Sequence, residues 1–212
     1  MAYKRNQVEE AISHLLDPKS LRSTQDLRTK VKRLLDTDRA LPPSAERHDA
    51  KFAFFGADPP GKGVENWFSP YEAFALLNGV RLMGHGWPQG LAVSVMRGVR
   101  PELEEQHTRI LAQDPEWLFD QKAIRNNARP GDHAFDNRDP VLLTVVSASG
   151  SLAGEATALF KCKICRGPAE AHKFFGEISK GQGALTMFDV TTLAHRLVEK
   201  LAKTEPRPRG RG

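Results

Sequence analysis

Only two cysteines occur in 212 residues, so the chain cannot rest on a disulfide framework. No apolar run approaches the roughly 18–20 residues that cross a bilayer, so no membrane partner is expected. The N-terminal stretch MAYKRNQVEE is polar from residue 3 and lacks the apolar core of a secretory leader. A cytoplasmic location follows as the expectation. The net charge is +5, a mildly basic balance that gives no more than a hint of an acidic partner. No paired carboxylates and no Ser/His/Asp arrangement stand out, and neither an enzyme nor a cofactor is expected. His85, in GHGW, reads as part of a turn.

What charge excess there is gathers in one place. Residues 19–33 hold Lys19, Arg22, Arg28, Lys30, Lys32 and Arg33 against Asp26 alone, a local excess of +5. The same stretch predicts a helix over about 24–36, with Ser23 and Asp26 at capping-box spacing. Leu27, Val31, Leu34 and Leu35 form its apolar stripe, which turns Thr29, Lys32, Arg33 and Asp36 to solvent. A shorter helix precedes it over 6–16, capped by Asn6 and ended at Asp17-Pro18.

The segment FAFFGADPPGKGVENWF, residues 52–68, carries Gly56, Gly61 and Lys62 at the spacing of a phosphate-binding loop. Pro59 and Pro60 lack the N–H groups such a loop aims at phosphate, and Gly63 stands where a Ser or Thr would hold magnesium. No helix begins at the lysine. Two short aromatic runs around a Pro/Gly turn instead predict a hairpin with Lys62 at its tip.

Ser69-Pro70 then starts a helix, YEAFALLNGVRLM, apolar on most sides and ended by Gly84 and Gly86. LAVSVMRG resumes as a helix after Trp87-Pro88-Gln89-Gly90, and Pro101 begins another. Residues 116–138, rich in Asn, Pro and Gly, read as a linker. Beyond it, PVLLTVVSA and EATALFKCKI predict paired strands around the turn SGSLAG, with GALTMF as a third strand. Asp189 caps a last helix, VTTLAHRLVEKLAK.

The order of helix, basic helix, hairpin, central helix and turn-then-helix resembles the MerR-like winged helix-turn-helix family. The residues that carry the likeness are WFS at 67–69, EAFALLNGVRLM, and the Gly86-Trp87 turn before LAVSVMRGV, within residues 3–98. The resemblance implies a mainly α fold with small β elements. It would place a winged helix-turn-helix DNA-binding domain at 1–115; the residues themselves then read as the linker at 116–138, a small α+β interaction domain at 139–203 and a disordered basic tail at 204–212. It implies a sequence-specific transcription regulator that binds double-stranded DNA. The second helix would enter the major groove with Thr29, Lys32 and Arg33 facing base edges, Arg22, Arg28 and Lys30 would also lie on the DNA, and Lys62 would sit near a backbone phosphate. Further partners would be RNA polymerase or another protein, and a second copy of the chain as a homo-dimer.

The tail PRPRGRG places Arg207, Arg209 and Arg211 between prolines and glycines, and resembles the core of an AT-hook. Two alternatives stay open. One is a protein-interaction module without DNA binding, using Tyr71–Met83 and the Val141–Ile164 strands. The other is a metal or redox role for Cys162 and Cys165, against which stands their spacing: residues three apart on a strand face opposite ways. Free thiols fit that pair better.

Overall fold

The computed structural model describes residues 1–19, 22–43, 49–59, 64–127, 135–148, 160–179 and 183–206. The elements run β1 (Tyr3–Lys4), α1 (Arg5–Leu16), α2 (Gln25–Ala40), β2 (Trp67–Phe68), α3 (Pro70–Gly84), α4 (Gln89–Leu111), α5 (Pro115–Leu118), α6 (Gln121–Asn127), β3 (Val141–Ala148), β4 (Phe160–Arg166), α7 (Gly167–Ser179), β5 (Gly183–Asp189) and α8 (Thr191–Lys203). The fold is mainly helical with small β elements. The chain divides into one unit of residues 1–101 with 196–212 and a second of 102–195. The division falls after Pro101, and the end of α8 groups with the N-terminal unit.

In the first unit, α3 forms as its sequence predicts. Ser69 Oγ accepts the Glu72 N–H at 3.1 Å, and Glu72 Oε2 accepts the Ser69 N–H at 2.6 Å, a complete capping box with Pro70 in the first turn. Ten of its residues are buried. Its C-terminus closes with Gly86 at φ +87, the Gly86 N–H on Met83 O and the Trp87 N–H on Leu82 O. That left-handed closure suits glycine. His85 is the C-cap residue in this turn.

Against α3 packs α2, with Leu27, Val31, Leu34, Leu35 and Asp38 buried. It runs one turn beyond the predicted end, to Ala40. Its cap is Thr24, whose Oγ1 accepts the Leu27 N–H at 3.2 Å. Ser23 instead accepts from Arg28 Nε at 2.8 Å. Likewise α1 starts at Arg5, before Asn6, and Gln7 Oε1 takes the Lys4 N–H at 2.9 Å.

The predicted hairpin does not form from its two aromatic runs. Phe52–Phe55 is not a strand, because its backbone groups are engaged elsewhere. Asp38 accepts the N–H groups of Ala53 and Phe54. Arg100 donates to the carbonyls of Phe52 at 2.8 Å and Phe55 at 2.6 Å. Trp67–Phe68 pairs antiparallel with Tyr3–Lys4 instead. The tip, 60–63, lies outside the described residues.

Pro101 does not begin a new helix. It lies inside α4, which is continuous over 23 residues. Proline cannot donate to the carbonyl four residues back. That carbonyl, Arg97 O, is taken by the Ala50 N–H at 3.1 Å. The freed acceptor thus anchors the loop that follows α2.

In the second unit, a three-stranded antiparallel sheet has the order β4-β3-β5. Leu142 pairs with Cys165 on one side and Asp189 on the other. The apolar run Val141–Val146 is buried, as a central strand requires. The helix α7, which the sequence reading missed, packs on the sheet over Leu142 and Cys165. Asp189 Oδ1 accepts the Thr191 N–H at 2.9 Å and so satisfies the first amide of α8. The predicted turn at 149–154 lies outside the described residues. The stretch read as a linker carries α5 and α6, and buries Leu118 and Asn137. Asn137 Nδ2 donates to Asp189 Oδ2 at 2.8 Å, which ties this segment to the sheet.

Candidate nucleic-acid interface

The solvent face of α2 is fixed by what its opposite face buries. Leu27, Val31, Leu34 and Leu35 lie against the core, so helical spacing turns residues 29, 32, 33 and 36 outward. Lys32 and Arg33 are exposed, and among the described residues neither side chain has an ion-pair partner. Asp36 is exposed on the same stripe. Thr29 is half-buried and donates its hydroxyl to Gln25 O at 2.8 Å, so only its oxygen lone pairs remain for an outside partner.

Nearer the N-terminus of α2 the cations are engaged within the protein. Lys30 Nζ is 2.7 Å from Asp26 Oδ2, one turn back. Arg28 bonds to Ser23, and its carbonyl accepts from Arg5 Nη2 at 3.4 Å. Arg22 is exposed, and its carbonyl accepts from Ser13 Oγ at 3.3 Å. Lys62, Arg207, Arg209 and Arg211 lie outside the described residues. The structure thus brings Arg22, Arg28, Thr29, Lys30, Lys32 and Arg33 onto one helix and its approach.

Three features of this unit escaped the sequence reading. One is the engagement of Lys4 and Arg5 at the start of the chain: Arg5 reaches α2, and Lys4 Nζ stands 5.3 Å from the centroid of the Trp67 ring. The second is Trp67 itself, an exposed large aromatic. The third is Asp38, which holds Arg97 rather than facing solvent. Each depends on a long-range pairing that local periodicity does not encode.

Other candidate chemistry is weaker. Cys162 and Cys165 are free thiols three apart on β4. Burial pushes the Cys165 thiol up, away from the reactive thiolate form. Among the described residues no group of three or more His, Cys, Asp or Glu could hold a metal ion. As for a protein-interaction role, α3 buries ten residues and has little face left to offer a partner. No described helix is long and apolar enough to cross a membrane. No protein-family model matches the chain, and no curated protein matches it.

Proposed function

We propose that the first unit binds duplex DNA through the solvent face of α2 and that the protein regulates transcription. The observation that carries this reading is the exposed pair Lys32 and Arg33, on a helix whose other side is locked into the core. The helix of 16 residues is about 24 Å long at 1.5 Å per residue. A helix is the element that a major groove about 12 Å wide admits. Two cations with no ion-pair partner among the described residues supply phosphate neutralisation without breaking such a pair.

In this reading α2 is the recognition helix of a helix-turn-helix domain, with further contacts from Arg22, just before the helix, and from Arg28 and Lys30 in its first two turns. Lys62 and the arginines of the tail would give sequence-independent backbone contacts. The second unit would contact a second copy, RNA polymerase or another protein. Such a regulator acts in the cytoplasm.

The test is a salt titration of affinity for duplex DNA, comparing the wild-type protein with Lys32→Ala plus Arg33→Ala. Each lost phosphate contact lowers the log–log slope by about 0.9, so the double variant is expected to fall by about 2. Both side chains are exposed, so its thermal unfolding stays unchanged. Equal affinity with an equal slope would show that this helix does not meet DNA.

A further inference from the structure

Trp67 is 53% exposed, whereas Phe68 beside it is buried. An exposed indole presents a broad apolar face together with an N–H, the kind of surface that partners pack against. Its backbone is held firmly, because β2 pairs with β1 in the register Lys4↔Trp67 and Tyr3↔Phe68, and both Tyr3 and Phe68 are buried. Lys4 Nζ stands over the ring and also pairs with Glu65 at 3.2 Å. The next residue, Arg5, reaches the Arg28 carbonyl on α2. A chain of contacts, Trp67 to Lys4, Arg5 and Arg28, therefore joins the exposed indole to the basic end of α2.

Aromatic faces beside cations are a general means of holding nucleic acid: the ring packs on a sugar or base, and the cations take phosphates. With Lys4 set over the ring, Trp67 is placed to offer one face rather than two. A one-faced contact suits the side of a deoxyribose better than insertion between base pairs, which occupies both faces.

We infer that Trp67 packs on a deoxyribose of the duplex beside the α2 contact, with Lys4 on the adjoining phosphate and Glu65 competing with that phosphate for Lys4. This rests on the DNA-binding reading above. It gives the surface an aromatic anchor and an internal brake, since a phosphate must displace the Glu65 carboxylate before Lys4 is available.

The experiment measures affinity for a mixed-sequence 20-base-pair duplex across a salt series. Trp67→Ala is expected to weaken binding about tenfold with an unchanged salt slope, and Trp67→Phe to retain most of the affinity. Glu65→Gln is expected to tighten binding and steepen the slope by about one phosphate, because it releases Lys4. A protein carrying Trp87→Phe and Trp117→Phe leaves Trp67 as its single indole, and its fluorescence should be quenched as duplex is added. If wild type binds but Trp67→Ala binds as tightly, this inference fails while the α2 reading stands. If Glu65→Gln changes neither affinity nor slope, the role given to Lys4 fails. If wild type does not bind duplex even at low salt, the DNA-binding reading itself fails, and the inference with it.

Discussion

Asp38 and Arg97 form a buried ion pair, with Oδ1 2.9 Å from Nε and side chains only 0% and 4% exposed. Each is saturated by further bonds. Asp38 accepts the N–H groups of Ala53 and Phe54, and Arg97 donates to the carbonyls of Pro42 at 2.8 Å and Leu41 at 3.2 Å. The pair therefore ties α2 and α4 to both ends of the segment between Leu41 and Phe54. It also fixes the end of α2, whose exposed face is the candidate interface.

Removing one partner should be far worse than removing both. Asp38→Ala leaves the Arg97 charge buried and two amides without acceptors, and is expected to destabilise the protein by about 3–5 kcal/mol. Asp38→Leu combined with Arg97→Met should lose much less than the sum of the two single changes. Urea unfolding of the three variants gives the coupling. A simple sum would mean that the pair is not the organising contact.

This pair also marks where the sequence stops being legible. The stripe Leu27, Val31, Leu34, Leu35 was readable, and it oriented Lys32 and Arg33 correctly because helical spacing is a local property. Asp38 continues the same stripe, yet an aspartate there reads as surface, since its partner is 59 positions away. The run Phe52–Phe55 looked like a strand for the converse reason. Its aromatic content fits a ladder, but side chains from α2 and α4 consume its backbone groups. Pro101 looked like a helix start because the substitute donor to Arg97 O, Ala50, lies in a distant loop. The Ser69–Glu72 box was legible because all its parts sit within four residues. Trp67 and Lys4 could not be joined from the sequence, because their proximity exists only through the β1–β2 pairing.

Two helical glycines should respond with opposite signs to the same change. A Cβ at Gly79 would lie 2.9 Å from the Phe54 ring and 3.2 Å from Leu34, both in the packed core. Alanine is favoured over glycine by about 1 kcal/mol in a helix, whereas overpacking costs about 1–3 kcal/mol. Gly79→Ala is therefore expected to lower stability on balance. At Gly90 a Cβ would meet nothing within 4 Å. Gly90→Ala should leave stability unchanged or raise it by up to about 1 kcal/mol. Thermal melts of both variants decide the matter, and a stabilising Gly79→Ala would mean that the α2–α3–Phe54 contact is looser than described.

Stability should fall in mild acid because of His107. This side chain is 4% exposed, and burial, aided by the nearby His195, pushes its pKa from 6.5 down to about 4. The folded protein then keeps His107 neutral at pH values where the unfolded chain protonates it. Proton uptake favours the unfolded state as pH drops below about 6.5, and the loss stops growing near pH 4. The shift corresponds to a loss of about 3 kcal/mol across that window. His107→Gln should flatten the profile between pH 6.5 and 4, in urea titrations run at each pH. An unchanged slope in the variant would remove His107 as the cause.

The basic residues of α2 should not contribute equally to DNA binding. Lys30 is already paired with Asp26 at 2.7 Å, whereas Lys32 and Arg33 have no such partner among the described residues. An exposed pair one turn apart adds only about 0.3–0.5 kcal/mol to stability, but its carboxylate offsets the charge that a phosphate would see. Lys32→Ala and Arg33→Ala are each expected to reduce the salt slope by about 0.9, and Lys30→Ala by less. Asp26→Asn should do the reverse: it frees Lys30, tightens binding and steepens the slope, with a stability cost of about half a kcal/mol or less. The ranking is read from slopes measured over the same salt range for all four variants. Equal slopes for Lys30→Ala and Lys32→Ala would mean that the Asp26 pair opens freely in solution. Unchanged binding and slope in Asp26→Asn would mean that this end of α2 faces away from the DNA.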